Sequence, residues 1–336
     1  GTSGFADAWR VALRLPNVLQ NLLGEGTLSA SFIPVYAEFL EEGREEEAGR
    51  FAGAALGILM ATAGALVLLG VLVAPWLVAA LFWRWDPEKQ ALTVTLVRIL
   101  FPMTGILVVS AWALGILNSH RRFFVSYVAP VFWNVAQIAA MVAGGAYLLL
   151  GQRDLVVLLA WGALVGGGLQ FGVQLPFVVR HLRGFRLSLG RGVEGVDEAV
   201  RNFVPVVAAR GVVNLSGWLD IILAAYLADG ALALLGYAQT FYMLPISLFG
   251  MSVAASELPE LSRVRGEDRE ALASRVAAAL RRTSYFLIPT IVGYLVLGDV
   301  LVAALFQTGA FGSTQTLATW AVLAAYTLGL GASANS

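Results

Sequence analysis

The sequence predicts an all-α, polytopic membrane protein made of two pseudo-repeated helical lobes around a central cavity and incomplete at both ends. Three observations carry this. Of 336 residues, 58% are hydrophobic and 13% charged, with a mean hydropathy of +0.76; a soluble domain carries about 25% charged residues. Nine apolar stretches each reach the roughly 20 residues that span a bilayer. A hexapeptide recurs late in the chain, as an internal repeat requires.

The nine stretches run over 5–40, 51–83, 92–118, 124–150, 155–179, 203–228, 231–261, 276–306 and 316–336. The first carries Asp7, Arg10, Arg14, Asn17 and Asn21 at gaps of three, four, three and four, which puts them on one helical stripe. An ionised side chain at mid-bilayer costs roughly 2.5–3.5 kcal/mol, so three unpaired charges on one helix would cost about 8–10 kcal/mol. Asp7 can pair with Arg10, whereas Arg14 has no partner on its own helix and looks for an anion. The stripe reads either as the wall of a polar cavity inside a transporter or as a face turned to water at the membrane surface. Pro16 and Gly24-Glu25-Gly26 favour the first reading, because broken helices at membrane depth line cavities or pack on protein. The glycine triplet Gly166-Gly167-Gly168 reads as close helix packing.

Loop charges orient the chain. The loops after the first, third, fifth and seventh stretches hold fifteen arginines, from Arg44 to Arg282, against Arg84, Lys89, Arg98 and Arg153 on the other side. The arginine-rich side is therefore cytoplasmic. The first stretch runs from outside to inside, so a cytoplasmic N-terminus would require one earlier helix. The loop from Arg180 to Arg201 divides the chain into an N-terminal lobe, 1–200, and the start of a C-terminal lobe, 201–336. It reads as a linker, or alternatively as a binder of anionic headgroups.

The repeat is Leu77-Val78-Ala79-Ala80-Leu81-Phe82 against Leu301-Val302-Ala303-Ala304-Leu305-Phe306, a shift of 224 residues. One register away, Pro34, Glu45 and Arg50 match Pro259, Glu270 and Arg275. Repeats with a substrate site between them are a common transporter plan. In the second copy Arg210 and Asp220 lie ten residues apart on roughly one face, with Asn214 between them. Asp220 is the candidate cation or proton site, or else the acid of a structural ion pair. Pro245 and Gly250 interrupt the next stretch.

The chain has no cysteine and only two histidines, His120 and His181, expected in solvated loops beside arginines. Thiolate metal sites and Cys nucleophiles are thereby excluded, and solvated histidines argue against a His-based metal or triad site. No cluster of acid, base and nucleophile points to an enzyme, and no nucleotide-binding motif or cofactor is expected.

Asp7-Ala8, Leu15-Pro16-Asn17, Gly24-Glu25-Gly26, Phe32-Ile33-Pro34-Val35 and Glu38, with Pro245, Gly250, Leu258-Pro259, Leu305-Phe306, Gly309 and Phe311 in the second copy, closely resemble the MurJ/MviN family. Its members are proposed lipid II flippases of the multidrug/oligosaccharidyl-lipid/polysaccharide exporter superfamily. The resemblance covers essentially the whole chain. It implies two six-helix lobes around a central cavity, with a first helix and the C-terminal helices lying beyond this chain. It also implies a multi-pass protein of the bacterial inner membrane that flips an undecaprenyl-diphosphate-linked peptidoglycan precursor by alternating access. Membrane lipids and cell-wall synthesis proteins are the implied partners, nucleic acid is not one, and the driving force is a monovalent cation or proton gradient or the membrane potential. Asp7, Asn17 and Glu25 match the family's cavity positions. Two family arginines fall on Gln20 and Thr240, and Arg10, Arg14 and Arg210, with Asn21, are the residues present that would hold a diphosphate in their place. The rival readings are another exporter of the same superfamily, for drugs or a different polyprenyl-linked glycan, and a non-transporting cell-wall scaffold.

Overall fold

In the computed structural model the described residues are 4–227, 230–250, 269–309 and 311–334, and they form helices joined by turns and, between Val179 and Val196, by a longer linker. The helices are α1 (Gly4–Leu23), α2 (Glu25–Glu41), α3 (Glu45–Leu81), α4 (Pro87–Ser119), α5 (Phe123–Val142), α6 (Gln152–Val179), α7 (Val196–Ala225), α8 (Ala231–Pro245), α9 (Arg269–Phe306) and α10 (Ser313–Ala334). Among the described residues, six helical stretches are long and apolar enough to cross a membrane: α3, α4, Phe123–Tyr147, α6, Ala231–Leu248 and Arg281–Phe306.

The predicted first stretch is two helices. The chain stays helical through Pro16 and stops at Gly24, where a Cβ would collide with the Gln20 carbonyl oxygen. Gly24 N–H donates to that oxygen at 2.8 Å, while its own carbonyl starts α2 by accepting from Thr27 and Leu28. The break therefore depends on the missing side chain at residue 24, and the proline does not cause it.

The chain divides into two compact units, Ala8–Tyr226 and Gly1–Asp7 with Leu227–Ser336. The division at Leu227 falls one helix after the Arg180–Arg201 linker, because α7 packs on α2 and α3 of the first unit.

In the first unit α4 is the central helix, with 61% of its most apolar window buried; it packs on α2, α3 and α6. Phe32 stacks on Phe51 and Tyr36 with ring centroids 5.3 and 5.4 Å apart. Trp112 is 2% exposed and its indole N–H donates to the Ala52 carbonyl at 3.1 Å. Leu68, Leu72, Trp76, Phe124 and Ile138 on α3 and α5 are exposed, as lipid-facing residues are in a polytopic protein. The linker after α6 runs along α3, and a Cβ at Gly49, Gly53 or Gly57 would collide with the backbone oxygen of Arg183, Arg186 or Ser188. Arg44 closes the end of this path by donating two hydrogen bonds to Glu194, and this holds the Glu194 carboxyl below its usual range.

His120 and His181 are half-buried and stacked at 4.1 Å, with His120 Nε2 3.1 Å from the Tyr36 hydroxyl. This corrects the expectation of solvated loop histidines: the ends of α4 and α6 meet over α2, and each ring covers the other.

In the second unit α8 packs on α10, and α10 on α9, around Phe241, Tyr294, Val302, Phe311 and Leu323. The repeat is visible in helix length. α3 has 37 residues and α9 has 38, and the two copies of the hexapeptide end them. Of the other register matches, Pro259 lies outside the described residues.

Candidate anion-binding site

The strongest grouping of the sequence-predicted residues lies where α1, α2 and α7 meet in the first unit. Arg210 sits half-way along the unit's last helix, α7, and its guanidinium donates to the Asn21 carbonyl at 3.4 Å. The same guanidinium packs against Gly26, in the space a Cβ would fill. Asn21 in turn donates its amide to Asn214 Oδ1 at 2.9 Å, and Asn214 Nδ2 donates to the Arg210 carbonyl at 2.8 Å. Three residues on α1 and α7 thus close a hydrogen-bond circuit, and Gly26 of α2 packs against its guanidinium.

The physical reason lies in the sequence. Arg210 and Asn214 are i,i+4 on α7 and share a face. Asn21 is the last polar residue of the α1 stripe, placed just before the break at Gly24. The break turns the start of α2 toward Arg210, and a helix N-terminus carries roughly half a positive charge. Arg210 therefore reinforces a positive end instead of neutralising one, and the combined field is attractive to an anion.

Arg14 lies seven residues before Asn21 on the same stripe, about 10 Å along the axis. It is half-buried and makes no hydrogen bond or ion pair with a described residue. Arg10, Asn17 and Gln20 are also half-buried, and Glu25 is exposed at the start of α2. The arrangement suits a doubly charged oxyanion: two guanidinium groups, helix-end amides and neutral amides, with Glu25 the acidic side chain nearest to it in sequence.

Two other predicted site residues belong to the second unit. Asp7 is 2% exposed and caps α8, accepting from the backbone N–H of Gly230 at 2.7 Å and of Ala233 at 3.2 Å. Thr240 is exposed on α8, with its hydroxyl turned back to the Gly236 carbonyl at 3.0 Å. Asp220 lies on α7, and its side chain is outside the described residues. Sequence reasoning left Asn214 out of the site; its i+4 relation to Arg210 was the signal.

The family model described as lipid II flippase MurJ matches residues 1–334. The chain is 30% identical to the probable lipid II flippase MurJ of Rhizobium meliloti over 98% of its own length and 62% of that protein. It is 31% identical to the lipid II flippase MurJ of Burkholderia cenocepacia over 98% of its own length and 64% of that one. It thus spans a little under two thirds of these curated relatives. Among solved structures, it resembles a lipid II flippase MurJ in an inward closed conformation with a TM-score of 0.79 at 26% identity, covering 98% of this chain and 67% of that one. An inward-facing MATE family multidrug transporter of the MOP superfamily shares the fold, with a TM-score of 0.72 at 14% identity over 98% of this chain and 79% of that one. On its sequence and its fold together, the chain belongs to the MurJ family of lipid II flippases.

Proposed function

We propose that this chain carries an undecaprenyl-diphosphate-linked peptidoglycan precursor from the cytoplasmic to the outer leaflet by alternating access. Its apolar helices and its bacterial family make it a multi-pass protein of the inner membrane. The observation that carries the proposal is the Arg210 guanidinium seated on Gly26 at the positive end of α2, with Arg14 two turns away on the facing stripe. A cation kept half-buried in an apolar bundle with no carboxylate partner among the described residues is costly, and a diphosphate would relieve that cost with charge-assisted hydrogen bonds. The Asn21 carbonyl, which accepts from the guanidinium, holds the Arg210 side chain in position. Glycan and peptide remain outside the apolar helices, and the isoprenoid tail stays in lipid.

Flipping needs no covalent step, and this reading gives the chain no enzymatic one. The cycle is driven by the membrane potential or a monovalent cation or proton gradient; each charge moved through 100 mV supplies about 2.3 kcal/mol. Asp220, ten residues beyond Arg210 on α7, is the proposed ion site, and cell-wall synthesis proteins are the proposed protein partners.

The test is complementation of cells depleted of their own lipid II flippase by the gene encoding this chain, with Arg14→Ala and Arg210→Gln alongside at matched membrane levels. Rescue by the parent that both variants lose supports the reading. A well-expressed parent that does not rescue overturns the lipid II assignment in that host and favours a scaffold or another exported glycan. Rescue by all three keeps the flippase and removes the anion site.

A further inference from the structure

The linker between α6 and α7 is not explained by the anion site. Its stretch Arg183-Gly184-Phe185-Arg186-Leu187-Ser188-Leu189-Gly190-Arg191 alternates apolar and basic or small residues. The carbonyls of Arg183, Arg186 and Ser188 are pressed onto the glycine row of α3, so the backbone is spent inward. Phe185 reaches the Trp112 ring, 6.4 Å between centroids. Leu187 and Leu189 point outward, 59% and 64% exposed. Arg183 pairs with Glu45 at 2.7 Å; Arg186 and Arg191 are exposed and form no ion pair with a described residue. Outward leucines between unpaired arginines, on the cytoplasmic side, have the chemistry of an interfacial segment.

A groove continues the same face of α3 into the bilayer. Gly49, Gly53, Gly57 and Gly64 fall on one helical stripe, and Gly64 is about 10 Å beyond Gly57 along the axis. Gly64 faces open space and, with Met60, Val67, Gly105, Val109 and Phe171, lines an apolar groove of about 320 Å³ between α3, α4 and α6. That is roughly twice the size of a dry apolar cavity that holds a benzene ring, about 150 Å³. Cations at the interface and a hydrocarbon slot one headgroup length deeper match the two ends of a single lipid.

We propose that this face binds an anionic phospholipid, with its phosphate on Arg186 and Arg191 and one acyl chain in the α3/α4/α6 groove. The site is separate from the α1/α2/α7 anion site and does not depend on the flipping proposal. Each arginine is worth roughly fivefold in preference for an anionic surface, so the pair gives a preference well above fivefold.

The test uses the chain in phosphatidylcholine nanodiscs doped with diazirine-tailed phosphatidylglycerol or, separately, diazirine-tailed phosphatidylcholine, with labelled peptides mapped by mass spectrometry after photolysis. Peptides spanning 59–67 and 102–109 should be labelled at least fivefold more by phosphatidylglycerol. Arg186→Gln with Arg191→Gln should bring that ratio close to one. Gly64→Leu, whose new side chain enters open space, should cut labelling by both probes at least fivefold while residues 295–301 of α9 are labelled as before. A parent ratio near one overturns the proposal without recourse to any variant. So does unchanged groove labelling in Gly64→Leu, or stronger labelling of these peptides by a diazirine-tailed polyprenyl diphosphate than by phosphatidylglycerol.

Discussion

The Asp7 carboxylate receives the Gly230 N–H at 2.7 Å and so caps α8 from outside that helix. Gly230 has a φ of +89°, which leaves the start of α8 without a side-chain cap of its own; Asp7 fills that role through tertiary structure. Replacing Asp7 by Ala removes a buried, charge-assisted cap and should cost about 2 kcal/mol in chemical unfolding in detergent. Asp7→Asn, which keeps one acceptor oxygen, should cost less than half as much.

Gly26 and Arg210 should behave as one unit. A methyl at residue 26 displaces the far end of a flexible side chain, so Gly26→Ala should leave the melting temperature within about 2 °C. It should weaken binding of a polyprenyl diphosphate about tenfold, read by equilibrium binding in detergent. Arg210→Gln should do the same, and the double variant should be no weaker than either single one, the non-additivity expected of residues acting through one contact.

Asn21 and Asn214 are coupled in a second way. Asn21→Leu leaves the Asn214 side-chain oxygen without its donor and should cost about 1 kcal/mol, the scale of interhelical hydrogen bonds in membranes. Asn21→Leu with Asn214→Leu should recover part of that loss in the same unfolding measurement, because no amide is then left unpaired.

The histidine pair sets a pH dependence. His120 is held below its ordinary value by burial first and by the neighbouring His181 next; His181 is lowered by burial, then by Arg122 and Arg180, with Glu45 opposing in both. Tyr36 is the other titratable group on the pair, through its hydroxyl on His120. A depressed folded-state value means that the unfolded chain binds protons more readily. The stabilising contribution is therefore complete above about pH 6.5 and is lost as pH falls through the lowered values. Thermal stability should fall between pH 7.5 and 5.5, and His120→Gln with His181→Gln should flatten that slope.

Much of the fold was legible because bilayer physics leaves few choices: long apolar runs, an arginine bias between loops and a repeated helix end. The two-helix nature of residues 5–40 was not, since hydropathy is blind to a break made by one missing Cβ at Gly24. The α1 stripe puts Arg14 and Asn21 on one helix face and also takes in Asp7, which caps α8 more than 200 residues away in sequence. Helical periodicity reports which residues share a face and is silent on what meets that face. The His120–His181 stack was hidden for the same reason: each histidine alone looks like an ordinary loop residue.

The glycine row of α3 separates the route of the α6–α7 connection from the connection's own letters. Because the chain at Arg183, Arg186 and Ser188 lies with its carbonyls against those glycines, its path is set by backbone contact and not by the side chains it carries. The instruction for that path is stored more than 120 residues earlier, in the glycines of α3. A single added methyl at Gly53 would reroute the entry to α7, and a defect observed at the loop would trace back to α3.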